Sequence, residues 1–308
     1  MSGIAAILSV LPIVVAVVIV WVATRRRRRG IAVSPRVVPM IEAARRRAVI
    51  AVLVAIAVLV SLSVAGLRWS ALGQVFNVAS LVAAAAGIAV YSAMPPRIVP
   101  VAEGEVRAAT LIPRSLRSVV PRRRMLMFGA TAVLFLLVVV FGGLTAADDD
   151  NGGWSRVIRF ESPHASHMAS PYPGWFYGIP ALISLVVLII ATAAALHRIS
   201  STPAFPSADD AHIDAQWRRR TGETILGLST GAILFTLGGI ACIAGSAILR
   251  SVLDETSALW LVAGYGLVTL GVVALLASAV SVTVAGLTAA GIGARMTPFA
   301  SETFGATP

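Results

Sequence analysis

Seven uninterrupted apolar blocks, each about as long as a membrane crossing, constrain this chain more than any other feature. They cover residues 4–23, 48–66, 76–94, 125–146, 177–196, 224–249 and a last run that begins at Ala258. A helix needs about 20 apolar residues to cross the hydrocarbon core, where only internal hydrogen bonds can satisfy the backbone. None of the blocks carries a charged residue in its interior. The expected fold is therefore all-α: a polytopic membrane helix bundle of seven transmembrane helices. The last run stays uncharged from Ala258 to Ala294, 37 residues. That is too long for one perpendicular span and too short for two with a turn. It reads as one tilted helix over residues 258–283, followed by an exit through Gly286, Gly291 and Gly293.

Composition excludes the ordinary alternative. A length of 308 residues suggests two soluble domains, but 57% of this chain is hydrophobic and 13% charged. Soluble domains carry about 25% charged residues. The one cysteine, Cys242, lies inside an apolar block and reads as a small buried hydrophobe.

Charge then orients the blocks. All 25 basic residues are Arg and the formal net charge is +11. Arg25–Arg29, Arg36, Arg45–Arg47, Arg97, Arg107, Arg114, Arg117, Arg122–Arg124, Arg198, Arg218–Arg220 and Arg295 all fall on one side of a seven-span path. Only Arg68, Arg156, Arg159 and Arg250 fall on the other. The positive-inside rule assigns the richer side to the cytoplasm. The expectation is an N-terminus outside, a C-terminus in the cytoplasm and a multi-pass protein of the cell membrane. Block 4–23 starts without a basic residue and is followed by Arg25–Arg29, so it reads as an uncleaved anchor. Residues 147–176 become an extracytoplasmic loop. Residues 197–222, with Pro203, Pro206, Asp209 and Asp210, become a cytoplasmic linker. Arginine at these flanks suits anionic lipid headgroups, whereas basic loops this short make nucleic acid a poor partner.

Candidate chemistry gathers in the outer loop. His164 and His167 stand three apart, with Met168 beside them and Asp148, Asp149 and Asp150 upstream. Imidazole and carboxylate are ligands for transition metals, which makes His164 and His167 the candidate metal ligands; the triple Asp also suits the solvation of a helix end. The loop closes on Pro171-Tyr172-Pro173-Gly174-Trp175-Phe176-Tyr177, read as part of an interfacial aromatic belt, as are Trp21, Trp69, Trp154 and Trp260. Inside the blocks only mild polar residues occur, among them Asn77, Ser80, Tyr91, Thr192, Ser229, Thr230, Thr236, Tyr265, Thr269 and Ser278. They are expected to hydrogen-bond between helices. Gly227/Gly231, Ala241/Gly245 and the heptad-spaced Gly264, Gly271 and Ser278 mark packing faces, within the chain or between chains. A phosphate-binding loop and a nucleophile elbow are both missing from the sequence. No cofactor and no enzymatic activity are expected.

Three stretches carry a resemblance: Thr110-Leu111-Ile112-Pro113-Arg114 with Pro121-Arg122-Arg123; Pro171 to Tyr177; and Asp209-Asp210-Ala211 leading to Arg218-Arg219-Arg220. Over residues 97–235 the chain resembles a family of uncharacterised multi-pass membrane proteins of actinobacteria. The resemblance implies the fold and the membrane, and no activity. The expectation for function is a non-enzymatic component of a transport or envelope system, with a membrane or ATP-binding subunit as partner. A ligand or metal sensor built on residues 147–177 is the alternative, and a membrane enzyme is the third.

Overall fold

The computed structural model describes residues 31–33, 38–68, 73–94, 120–150, 152–161, 166–202, 211–252, 258–293 and 296–298. Among these residues six long helices carry the fold. They are α1 (Val38–Arg68), α2 (Gln74–Ala93), α3 (Arg122–Thr145), α4 (Trp175–Ser201), α5 (Ala211–Ser251) and α6 (Ala258–Gly293). Each is long and apolar enough to cross a membrane. Block 4–23, the seventh expected helix, lies outside the described residues. Two short strand pairs accompany the helices. Strand β1 (Ile31–Val33) runs parallel to β4 (Met296–Pro298), and β2 (Ile158–Glu161) runs antiparallel to β3 (Ser166–Ala169). The expected outer loop thus contains a hairpin.

Successive helices run in opposite directions, so the bundle has two ends. At one, the hairpin end, the last turn of α3 meets the start of α4, and the end of α5 supports β2 and β3. At the other, the arginine end, the start of α1 meets the end of α2, and the start of α5 meets the end of α4. Arg46, Arg47, Arg122–Arg124, Arg198 and Arg218–Arg220 gather at the arginine end, and Arg68, Arg156, Arg159 and Arg250 at the hairpin end. Charge asymmetry along the sequence has become charge asymmetry in space.

Helix α5 is central. It packs most extensively on α6 and also touches α2, α3 and α4. Leu81, Phe135, Leu188, Ile233 and Leu237 are fully buried along it. Outward-facing positions are equally apolar: Val52, Leu53, Ile56 and Val60 on α1, Leu136 and Leu137 on α3, and Val262, Val273, Leu276 and Val280 on α6 are all exposed. Soluble monomers rarely show contiguous apolar patches beyond a few hundred Å². Helices apolar on both faces instead suit a bundle whose solvent is lipid.

The α5–α6 seam answers the question left open by the glycine spacing: these faces pack within the chain. A Cβ on Gly245 would lie 2.5 Å from Gly264 O, one on Gly238 2.9 Å from Gly271 O, and one on Gly231 2.6 Å from a Val282 methyl. Facing positions descend one helix as they climb the other, at heptad intervals on α6. A seven-residue repeat keeps such a seam continuous when two helices supercoil left-handedly. With no side chains between them, the backbones come close enough for Ser278 Oγ to donate to Gly231 O at 2.7 Å and Ser281 Oγ to Gly227 O at 2.8 Å. Cys242 takes its expected place here as a small packing group, its Sγ 3.9 Å from Val268 O.

Two boundaries differ from the sequence reading. Helix α6 continues to Gly293 rather than ending near residue 283, because Ala285 packs on Gly227 and keeps its last turns in the seam. In the stretch read as linker 197–222, α4 extends to Ser201 and α5 begins at Ala211. The reason is that Arg218 binds the carbonyls that end α4 and so joins the two helices.

Candidate functional site

The hairpin end is built from local sequence upward. Ile158 to Glu161 alternates apolar and charged residues, the pattern of a strand with one buried face. Ile158 pairs with Ala169, and both are buried against Ala244, Ala247 and Ile248 of α5. Phe160 meets Trp260 edge-on at 5.1 Å between ring centroids. Ahead of the hairpin, each member of the Asp triplet has a partner. Asp148 Oδ1 accepts from Ser155 N at 2.8 Å. Asp149 Oδ2 pairs with Arg156 at 2.6 Å. Asp150 pairs with Arg159, and that hydrogen bond holds the guanidinium pKa above its ordinary value. Ser155 has φ 45°, a left-handed conformation that costs a non-glycine residue about 1 kcal/mol or more. The conformation lets Ser155 Oγ accept from Trp175 N at 3.0 Å and Ser155 O from Phe176 N at 3.4 Å. Ser155 thereby caps the first turn of α4 from 20 residues away.

Residues 171–177 depart from the belt expectation. Tyr172 is fully buried and Pro173, Gly174 and Tyr177 are buried as well. Trp175 and Phe176 are half-buried, while Trp154 is exposed. The segment is received by Gly142 and Gly143 in the last turn of α3. A Cβ on Gly142 would stand 2.4 Å from Pro173 O, and one on Gly143 would enter the Trp175 ring. Tyr172 hydroxyl shares a 2.5 Å hydrogen bond with Thr145 Oγ1, and burial pushes the phenol pKa up. Gln74 and Asn77 at the start of α2 then clasp α4, donating to Phe176 O at 2.7 Å and Tyr177 O at 3.0 Å. This end is a plug. Its signal in the sequence was the Gly142-Gly143 pair inside an apolar block, together with arginines seven and nine residues beyond Asp149 and Asp150.

Of the two candidate metal ligands, His164 lies outside the described residues. His167 sits on β3 opposite Phe160 and is exposed. Met168, the next residue, belongs to the other face of the strand, where its Sδ lies 3.7 Å from Arg159 Nη2. His167 and Met168 thus lie on opposite faces of the strand. Among the described residues no three His, Cys, Asp or Glu side chains converge as a metal site.

Within the bundle the mild polar residues do join helices. Ser80 and Thr236 share a hydrogen bond of 2.6 Å, and Thr192 and Ser229 one of 2.8 Å. These hydroxyls tie α2 and α4 to the central helix. Tyr265 and Thr269 instead face outward on α6.

Among the described residues, two guanidinium groups are buried at the arginine end. Arg218 donates to Asp214 Oδ2 at 2.9 Å, to Thr202 O at 2.9 Å and to Ile199 O. Its fork closes the C-terminus of α4, where a cation also meets the negative end of the helix dipole. Arg47 lies 4.7 Å from the centroid of the Tyr91 ring, and its Nη2 donates to Tyr91 O at 3.0 Å. Sequence reasoning placed both arginines in the charge count and missed their burial, which depends on which helices meet there. No family model, curated protein or solved structure matches this chain.

Proposed function

We propose that this chain is a multi-pass protein of the cell membrane and a non-enzymatic component of a transport or envelope system, working with a membrane or ATP-binding partner subunit. In this reading the arginine end faces the cytoplasm and the hairpin end lies outside, with block 4–23 as a seventh span. The observation that carries the proposal is how the interior is filled. Glycine seams and hydroxyl pairs bring the helices together along α5, and the described charged groups sit toward the two ends. Such an interior suits a rigid support for another subunit better than a path for a polar solute. The charge asymmetry supports the orientation, since arginine accumulates on cytoplasmic flanks.

Cysteine mapping in a Cys242→Ala background tests the orientation. Ser166→Cys is expected to react with an impermeant maleimide added outside intact cells, and Ser207→Cys only after permeabilisation. The reverse labelling pattern overturns it. Purification from native membranes after cross-linking tests the function: a stoichiometric ATP-binding subunit is expected, with ATP-dependent flux only in the reconstituted pair. Turnover of a substrate by the chain alone overturns the non-enzymatic reading.

A further inference from the structure

Two segments far apart in sequence meet beside the arginine end. Strand β1 pairs in parallel with β4, Ile31 opposite Met296 and Val33 opposite Pro298. Two residues separate the end of α6 from β4, and four separate β1 from the start of α1. The strand pair thus joins the end of α6 to the start of α1, and these two helices touch. Both turn apolar stripes outward: Leu53, Ile56 and Val60 on α1, and Val262, Val273 and Leu276 on α6, are exposed. Helix α1 packs extensively on α2 alone. The α6 stripe also carries Tyr265 and Thr269, whose hydroxyls are better placed against another helix than in lipid.

We infer that block 4–23 docks beside α6 and α1, on their outward apolar faces. This rests on the reading of that block as a span and adds its place in the bundle. The block lies outside the described residues, but the strand that follows it does not. Residues 24–30 alone separate it from β1, a link of at most about 25 Å, where each bundle helix is about 10 Å across. In a parallel pair both strands point the same way, so the chain enters β1 and β4 from the same side. Helix α6 enters β4 from the bundle, and block 4–23 therefore runs beside α6 in the same direction. The charge pattern agrees, since Arg25–Arg29 follow the block and belong with the arginine end. Exposed faces of α3 and α4 are as apolar, but the tether leads to α1 and α6, and a second copy of the chain has no tether at all. Ser9, the one hydroxyl side chain inside the block, stands five residues from its start, and Tyr265 seven residues from the start of α6. Two helices running the same way bring these hydroxyls to similar depth.

The test uses the full chain in native membranes. A photoreactive benzoylphenylalanine replaces Val14, Val15, Ala16 and Val17 in turn, so that every side of the block is sampled at mid-depth. After illumination, mass spectrometry of the digested chain is expected to find the probe joined to peptides of α1 and of α6. The probe placed at Ile56 or Val273 is expected to capture the block in return, and at Leu137 on α3 that product should be lost. This reciprocal arm decides if a bulky probe in the block prevents folding. Joining to α3 or α4, a product of twice the chain's mass, or adducts with lipid alone overturns the docking. Ser2→Cys in the Cys242→Ala background reports separately on the span, and an impermeant maleimide added outside is expected to label it. Labelling with photoproducts elsewhere removes the docking and leaves the span, whereas protection from the reagent removes both.

Discussion

At the hairpin end nearby residues neutralise one another: Asp148 binds Ser155 N, Asp149 binds Arg156, and Asp150 binds Arg159 within a dozen residues of chain. The arginine end has a surplus of one sign. There Asp214 neutralises Arg218 at 2.9 Å, while Arg47 lies as deep and, among the described residues, meets a carbonyl and an aromatic ring rather than a carboxylate. The first end is closed by its own residues: Tyr172 fills the centre, and glycines at 142, 143 and 174 let the chain lie flat on α3. One end is thus held by ion pairs close in sequence, and the other by an arginine that joins the end of one helix to the start of the next.

The largest expected effect comes from breaking the neutralised half of the arginine end. Arg218→Ala leaves Asp214 buried without its counter-ion and removes the cap of α4, a loss of roughly 3–5 kcal/mol. Thermal unfolding in detergent is expected to show a large fall in midpoint. A double variant, Arg218→Met with Asp214→Leu, should recover much of it. A double variant as unstable as Arg218→Ala would locate the effect in the carbonyl contacts of Arg218 instead.

Gly174→Val strikes the closed end. Its Cβ would stand 2.2 Å from Ser155 O and 2.4 Å from Ala146 Cβ, so the loop must move, at a cost of about 1–3 kcal/mol. Proteolysis after Arg156 and Arg159 is expected to accelerate while the arginine end keeps its protection. Equal loosening of both ends would show that the two are not separable.

Tyr172→Phe is the mildest change, removing one hydrogen bond to Thr145 at a cost of about 1 kcal/mol. It also carries a pH signature. Burial raises the phenol pKa in the folded chain, so the neutral form is the one favoured by folding. That contribution is complete below the ordinary tyrosine value of about 10 and is lost as pH rises through the higher folded value. Stability followed between pH 9 and 12 should decline in the parent and decline less in Tyr172→Phe. Identical alkaline profiles would assign the decline to other groups.

Much of the architecture was legible because its causes are one-dimensional. Helix length against apolar run, and arginine against span end, can be read without knowing which helix meets which. The glycine spacing of blocks six and seven was legible as a packing face, but not its partner, since a helix face says nothing of what covers it. Residues 171–177 misled for a related reason. Aromatics at the mouth of a span look alike whether they face headgroups or fill a plug, and only Gly142 and Gly143, some thirty residues earlier in the chain, distinguish the two. The His164–Met168 stretch suggested a ligand set from spacing alone. A strand alternates faces and so separates His167 from Met168, whereas a helix would have set His164 and His167, three apart, on one face.

By itself, then, the sequence determined the helical class, the membrane-length segments and the sorting of arginine into two groups, because each follows from local composition. Only the tertiary structure decided that Ser155 would cap a helix 20 residues away, that the glycines of α5 would receive α6, and that Arg218 would meet Asp214 while Arg47 would lie over the Tyr91 ring. Those outcomes depend on contacts between distant segments, and the energies that set them arise only when packing brings the partners together and removes the water between them.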